Sequence, residues 1–584
     1  MKRRDQFAVA ALVLMLAIVG AAMFATDDAQ SPQPTPIFIT PPPGLTYREA
    51  VVGHPSSINP LTARTQADRD LVALLFRGLM SAGPNGTLVP DLARSWAASA
   101  DGLTYTFTLR ADARWEDGQP VTATDVVYTV GLTQDPDYNG PLGATWQGIK
   151  ATAMSATVVR FTLTTPLGGF LRQALLPILP EHALGDTAVA DLADSDFSAR
   201  PIGDGPYRIT ELDDSHALLA PVGAVPAAGG SGAVIDATDA GSTAAATASA
   251  SGGAATHSVA ASPGSQGDIE NIDLLFFNDQ AAAVASFRAG NSDSVGGLAP
   301  ESTDKAGSRT GARVVRYPLA SLYSVVLNQR ASHPEFANLQ VRRALLAGVD
   351  RSTILKAVLL GRGTVADVPL PSWSAAYDRA AVSTTAFNAA DAAAGLVAAG
   401  WVRDQSGWTI PNGKSHYAIK LITLNEATNS IAYRIAGQVA AQWRAIGIEV
   451  TLQAYGSADY AQHLSGGDFD AAVVDYQLGL DPDVSPLFLS SQVAPAGSNL
   501  SGVSDTTLDG LLTAVRTTSN PDARRTAVTA LERYLSTNVL MLPICFADYQ
   551  FVISGRVRGV SANEIADPSG RFWDVLDWRL ASDG

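Results

Sequence analysis

Residues 101–110 read DGLTYTFTLR, and residues 115–128 follow as WEDGQPVTATDVVY. In the first run an Asp101-Gly102 turn precedes strict alternation, so Leu103, Tyr105, Phe107 and Leu109 share the buried face of a half-buried strand. In the second, Asp117-Gly118-Gln119-Pro120 makes another turn. Thr122 then caps a helix, with Asp125 three residues on as its reciprocal partner, ahead of Val126, Val127 and Val130. Strand, turn and capped helix in quick succession predict a mixed α and β architecture.

The same grammar extends in both directions. A first strand is expected at 50–53, and Val159, Phe161 and Leu163 alternate as another. Ile269, Ile272, Leu274 and Phe276 lead into one more before a helix at 281–288. Farther on, helices at 341–349, 388–399, 430–446 and 508–515 are separated by strands at 418–423 and 448–453, which reads as a second α/β lobe. With 584 residues, 46% hydrophobic and 16% charged, the chain can fill several large cores, so disorder throughout and a multi-span membrane protein are both excluded. A net charge of −16 opposes attraction to phosphate backbones, and nucleic acid is excluded as a partner.

Two stretches stand outside this pattern. Lys2, Arg3 and Arg4 precede an uncharged run from Phe7 to Ala25, long enough to cross a hydrocarbon core; it is either an uncleaved anchor or a cleaved signal. Six prolines between Pro32 and Pro43 then make an extended spacer. Residues 223–267 are almost wholly Ala, Gly, Ser and Thr, and read as a surface insertion within a domain or an interdomain linker. The single cysteine, Cys545, leaves no intrachain disulfide and no cysteine-based metal cluster.

The quoted region resembles the signature of the family 5 extracellular solute-binding proteins, the peptide, nickel and opine class of ATP-driven importers. SINPL (57–61), LVPDLARSW (88–96), ILPEHAL (178–184), PIGDGPYRI (201–209) and VRRALLAGVDR (341–351) support the resemblance in order and spacing. FNAADAAAGLVAAGW (387–401), AQWRAIGIEV (441–450), GDFDAAV (467–473) and LDPD (480–483) extend it toward the end of the chain. The resemblance implies a two-lobed periplasmic-binding-protein-like α/β fold of the large class, with mixed sheets and flanking helices. By this analogy residues 1–25 are the anchor or signal and 26–46 the spacer. Lobe I combines 47–86, 201–322 and 539–580, an inserted small domain covers 87–200, and lobe II covers 323–538. The implied partners are a small solute such as a peptide, an ABC permease with its ATPase subunits, and the membrane through the N-terminal helix, at the outer face of the cytoplasmic membrane. Relatives with a lipid-attached cysteine place it directly after the signal; here that residue type occurs only at position 545, so the 7–25 helix is expected to supply the tether.

Ligand pockets combine flat apolar surface with a few placed polar groups. On that basis, and by analogy with the family, the candidate ligand contacts are His54, Ser56, Tyr138, Trp146, Tyr323, Trp373, Tyr476, Gln477, Leu478 and Asp481. Peptide-binding relatives carry an aspartate four residues before the proline of the LDPD stretch, where it pairs with the peptide's amino group; this chain has Leu478 there. Leucine cannot make that charge-assisted bond, so recognition of a free α-amine is expected to be weakened, unless Asp475 or Asp481 compensates.

No catalytic group, metal ligand or cofactor is expected. The seven histidines show no pair at helical or hairpin metal-ligand spacing, and no Gly-x-Ser-x-Gly elbow occurs. GWTIPNGKS (407–415) lacks the spacing of a phosphate loop and reads as an Asn412-Gly413 hairpin turn, which leaves ATP to a partner subunit. Asp101, Asp117, Asp481 and Asp483, beside Gly or Pro, read as turn-formers. Two rivals to a transport receptor stay open at this level: a ligand-sensing module that feeds a signalling partner, and a secreted hydrolase.

Overall fold

The computed structural model describes residues 45–140, 142–223 and 269–581. The 7–25 segment, the spacer through residue 44 and the low-complexity stretch from 224 onward lie outside the described residues. No helix among the described residues is long and apolar enough to cross a membrane.

An 11-stranded mixed sheet runs through the molecule. Its order is Glu449–Tyr455, Ala418–Leu424, Ala471–Gln477, Arg313–Leu327, Leu542–Ile553, Ser294–Gly296, Thr46–Val52, Asn271–Phe277, His216–Pro221 and Tyr207–Leu212, with Gly363–Val365 also paired to Leu542–Ile553. The two longest strands, Arg313–Leu327 and Leu542–Ile553, are antiparallel neighbours at its centre. One end of the sheet carries a core built on Tyr47, Leu274, Phe551 and Trp578; the other carries cores on both faces, around Trp401 and Trp443 on one and Phe469 and Phe488 on the other. The two central strands therefore join two lobes. Their pairing skips Leu319 and Ala320, a bulge at which the ladder is interrupted. The lobe boundary implied at 322/323 falls inside a strand that both lobes share.

The opening stretch folds as its pattern dictates. Thr104–Leu109 is the second strand of a four-stranded antiparallel sheet ordered Ala93–Ala98, Thr104–Leu109, Val158–Leu163, Ile149–Ser155. Tyr105, Phe107 and Leu109 are buried, and Phe107 meets Phe161 edge-on at 5.7 Å. Thr122 and Asp125 form the reciprocal capping box of the helix Ala123–Gln134.

One end of the main sheet is pinned by a wholly buried ionic cluster. The Arg571 guanidinium donates to Glu49 at 2.6 Å and to Asp70 at 2.6 Å, with all three side chains 1% exposed. Tyr47 donates a further hydrogen bond to Glu49 at 2.7 Å, and the guanidinium lies 4.1 Å from the Phe572 ring centre. Burial raises the Glu49 carboxyl above its ordinary range, and the adjacent guanidinium opposes that rise.

The structure also departs from the sequence reading, which named neither of the two longest strands nor the helices Gln66–Leu75, Arg351–Leu359 and Ser457–Gly466. The hairpin expected at Asn412-Gly413 instead pairs Val402–Arg403 with Trp408–Thr409, because Asp404 accepts the Ser406 and Gly407 N–H groups at 2.7 and 3.1 Å and closes the turn there. Asn412, at φ 64°, turns the chain just afterward. The 18-residue helix Pro521–Asn538 has no counterpart in that reading; Asn520 caps it by accepting the Ala523 N–H, with proline at its first position.

Candidate functional site

Between the four-stranded sheet and the second lobe lies a cavity of about 800 Å³. Trp96, Tyr105, Leu171 and Arg172 line it from one side. Trp373, Leu478, Asp481 and Arg524 line it from the other, and Glu564 is also in the lining. The lining combines aromatic and aliphatic side chains with polar and charged groups, as a solute pocket requires.

Each wall is positioned by a local device. The 478–484 segment leaves the strand Ala471–Gln477 and is held at its root by the Leu478 N–H, which donates to the Ala320 carbonyl at 2.7 Å. Ala320 is the bulge residue between the lobes, and its own N–H donates to the Ile565 carbonyl at 3.0 Å, next to Glu564. The cavity wall and the inter-lobe bulge are thus joined by two backbone bonds. Asp481 is gripped by a fork: Arg524 Nη2 donates to Oδ1 at 2.6 Å and Nη1 to Oδ2 at 2.9 Å. Arg172 donates to the Gly86 carbonyl at 3.0 Å, and burial lowers its pKa from the ordinary guanidinium value. Burial raises the Glu564 carboxyl, with Arg172 acting against the rise.

The region of the four-stranded sheet meets the second lobe at a seam of glycines. The Gly168 N–H donates to the Arg516 carbonyl at 2.7 Å. A Cβ on Gly169 would lie 2.5 Å from Asp481 Oδ2, and one on Gly102 would lie 2.5 Å from Ser519 Oγ. No side chain fits at either position without moving the opposing wall.

Of the residues chosen from sequence, Trp373, Leu478 and Asp481 line this cavity. The other seven lie elsewhere. Trp146 is 2% exposed and packs 6.0 Å from Phe161, in the core beneath the small sheet. Tyr138 donates its hydroxyl to the Leu61 carbonyl at 3.0 Å. Ser56 donates to Asp68 Oδ2 at 2.9 Å, within the set of donors that Asp68 gathers at the start of the helix Gln66–Leu75. His54 is held between the Asp214 carbonyl and Asn278 Oδ1, at 3.0 and 2.8 Å. Tyr323 and Tyr476 are buried in the main sheet, and Gln477 pairs opposite Ser321 within the same sheet.

Neither proposed substitute for the missing aspartate stands free. Asp481 is committed to Arg524. Asp475 accepts from Ser321 Oγ at 2.9 Å within the sheet, where burial pushes its carboxyl up to about 6. Arg524, Arg172, Glu564, Trp96 and Tyr105 were not singled out from sequence. The Asn520-Pro521 pair signals the helix that carries Arg524, but no local pattern tells that its guanidinium reaches Asp481.

Comparison with known proteins agrees with this architecture. The sequence profile described as bacterial extracellular solute-binding proteins, family 5 Middle, matches residues 87–221 and 262–498. The chain is 26% identical over 449 residues to the oligopeptide-binding protein AppA of Bacillus subtilis (strain 168), covering 76% of this chain and 75% of that protein. Solved structures share the fold, two of them as follows. The ABC transporter substrate-binding protein CtaP from Listeria monocytogenes superposes with a TM-score of 0.73 at 22% identity, over 92% of this chain and 99% of its own. NikZ from Campylobacter jejuni, in complex with Ni(L-His), gives 0.70 at 22% identity over 91% and 99%.

Proposed function

The chain belongs to the family 5 bacterial extracellular solute-binding proteins, and from that membership we propose that it captures an oligopeptide-like or other small polar solute between its lobes and delivers it to an ABC importer. The observation that carries this is the 800 Å³ cavity lined from both lobes, with its wall bonded to the bulge in the shared strand. A solute that touches both walls favours the arrangement in which they approach, so binding free energy becomes a shift in the lobe equilibrium that a permease can sense. Capture and release by this route need no covalent step.

The contacts we assign to the solute are Trp96, Tyr105 and Trp373 as flat apolar surface, with Arg172 and Glu564 as polar anchors. Leu478 removes the carboxylate that a peptide ammonium would use, which favours solutes held by stacking and by their own anionic groups. For the described residues we assign lobe I to 47–86, 201–322 and 539–580, the inserted domain to 87–200 and lobe II to 323–538, with the two central strands shared: Leu542, Ile544 and Cys545 pack in the second lobe's core. Tethering by the 7–25 segment, in its anchor form, would hold the receptor at the outer face of the cytoplasmic membrane.

The test is mass spectrometry of small molecules released on denaturing protein purified gently from its native host. Recurrent peptides or a single bound solute support the receptor reading, and the identity sets the solute class. Turnover of a bound peptide to fragments by the purified chain would overturn it in favour of a hydrolase.

A further inference from the structure

On the second lobe, away from the cavity lining, His333, Glu335 and Asp470 bring one ligand atom each to within 4.8 Å of one another. His333 precedes the short turn Pro334–Ala337 that carries Glu335, and Asp470 immediately precedes the strand Ala471–Gln477. His333 Nδ1 lies 3.1 Å from Asp470 Oδ1 and 3.5 Å from Glu335 Oε1. A zinc ion about 2.0–2.1 Å from each ligand in a tetrahedron separates neighbouring ligands by about 3.4 Å. Both separations match that edge.

We propose that these three side chains form a site for a divalent first-row metal ion, Zn²⁺ above all, clasping the 333–337 turn to the start of the 471–477 strand. One imidazole and two carboxylates suit a borderline cation better than Ca²⁺ or Mg²⁺, which favour all-oxygen shells. The ligands are held in place before any ion arrives. Asp470 Oδ2 accepts the Lys420 N–H at 2.7 Å, which leaves Oδ1 turned toward the imidazole. Tyr417 donates its hydroxyl to Glu335 Oε1 at 2.6 Å, and the His333 ring stacks 6.3 Å from Phe336. Outer partners of this kind orient metal ligands.

Charge gives a second reason. The Glu335 side chain is 7% exposed and that of Asp470 13%, so two carboxylates converge in a poorly hydrated place with one imidazole between them. A dication offsets that repulsion more fully than a shared proton. The His333 side chain, 22% exposed, leaves an open edge through which the ion enters and a water completes the shell.

The experiment uses the full chain stripped with EDTA, then titrated with ZnCl₂ by calorimetry and with CoCl₂ by visible absorption. Wild type is expected to bind one equivalent, show the intense bands of low-symmetry Co²⁺, and melt at a higher temperature with Zn²⁺ present. His333→Ala and Asp470→Asn are each expected to lose at least about tenfold in affinity together with the bands, and Tyr417→Phe to lose about tenfold through ligand orientation. His463→Ala, which removes the exposed pair with Asp468, should leave binding unchanged. If His333→Ala does not fold, Asp470→Asn carries the same comparison. Absence of a stoichiometric equivalent in wild type overturns the proposal and leaves His333 as a structural contact between two carboxylates. Binding that survives both variants overturns it in favour of an ion elsewhere. None of the three ligands lines the cavity, so neither result bears on solute capture.

Discussion

Replacing Gly169 by alanine isolates the seam between the four-stranded-sheet region and the second lobe from the folding of either unit. Gly169 has φ −94° and ψ 9°, a conformation alanine adopts without strain, so the unit that carries it is expected to fold unchanged. The added methyl would lie 2.5 Å from Asp481 Oδ2 and 2.9 Å from its Cγ. Ordinary contact requires the carboxylate or the turn to yield by about 0.9 Å. If the carboxylate yields, the Arg524 bonds at 2.6 and 2.9 Å are stretched out of range; if the turn yields, the 2.7 Å Gly168 to Arg516 bond is lost. Either loss costs about 1–2 kcal/mol, and only in the state where the two units touch. The closed population relative to open should therefore fall about 5- to 30-fold. Hydrogen exchange of the segment around Gly168 reads this directly, with protection falling by the same factor, while small-angle scattering reports a larger mean radius. Global stability in denaturant should change by less than about 0.5 kcal/mol. Unchanged protection at Gly168, or a global loss as large as the local one, would refute the assignment of this contact to a separable seam.

Three further outcomes follow from other parts of the molecule. Leu478→Asp should restore a carboxylate in the cavity wall and tighten binding of a free-amine tetrapeptide by about tenfold over its N-acetylated form; equal affinity for the two peptides would dismiss Leu478 as the cause of weakened amine recognition. Arg571→Met leaves Glu49 and Asp70 buried without their cation and should cost about 3–5 kcal/mol in denaturant titration; a loss below about 1 kcal/mol would mean that the cluster relaxes or takes up a proton. Glu532 is 0% exposed and accepts the Asp378 N–H at 3.0 Å, and burial pushes its carboxyl up to about 7. A folded pKa above the unfolded one gives stability that is complete below the ordinary carboxyl range and lost as pH rises through about 7. Glu532→Gln should accordingly flatten the decline in melting temperature between about pH 5 and 8, and an unchanged slope would assign that decline to other groups.

What could be read in the chain was local. The alternation of Tyr105, Phe107 and Leu109, and the Thr122 with Asp125 cap, depend on residues a turn or two apart, and the structure returns both. The helix at 521–538 was readable too: Val528, Leu531 and Leu535 recur at helical spacing after an Asn520-Pro521 start, signals that the sequence reading did not use. Three of the ten candidate contacts reached the cavity. Trp146 did not, because an aromatic residue in a mixed run looks the same whether it faces a ligand or Phe161.

The sequence by itself determined the class of the fold, a number of its local elements and, through the family resemblance, the kind of protein this is, because periodicity, caps and turns are properties of short segments. Tertiary structure alone decided which charges meet. Asp481 is matched by Arg524 from another element, Arg571 reaches Glu49 and Asp70 from the opposite end of the chain, and His333 faces Asp470 across the second lobe. The physical reason is that a charge carries no periodicity of its own. Its partner is chosen by which backbones the packed cores bring within about 4 Å, and that choice is made only when the sheet closes.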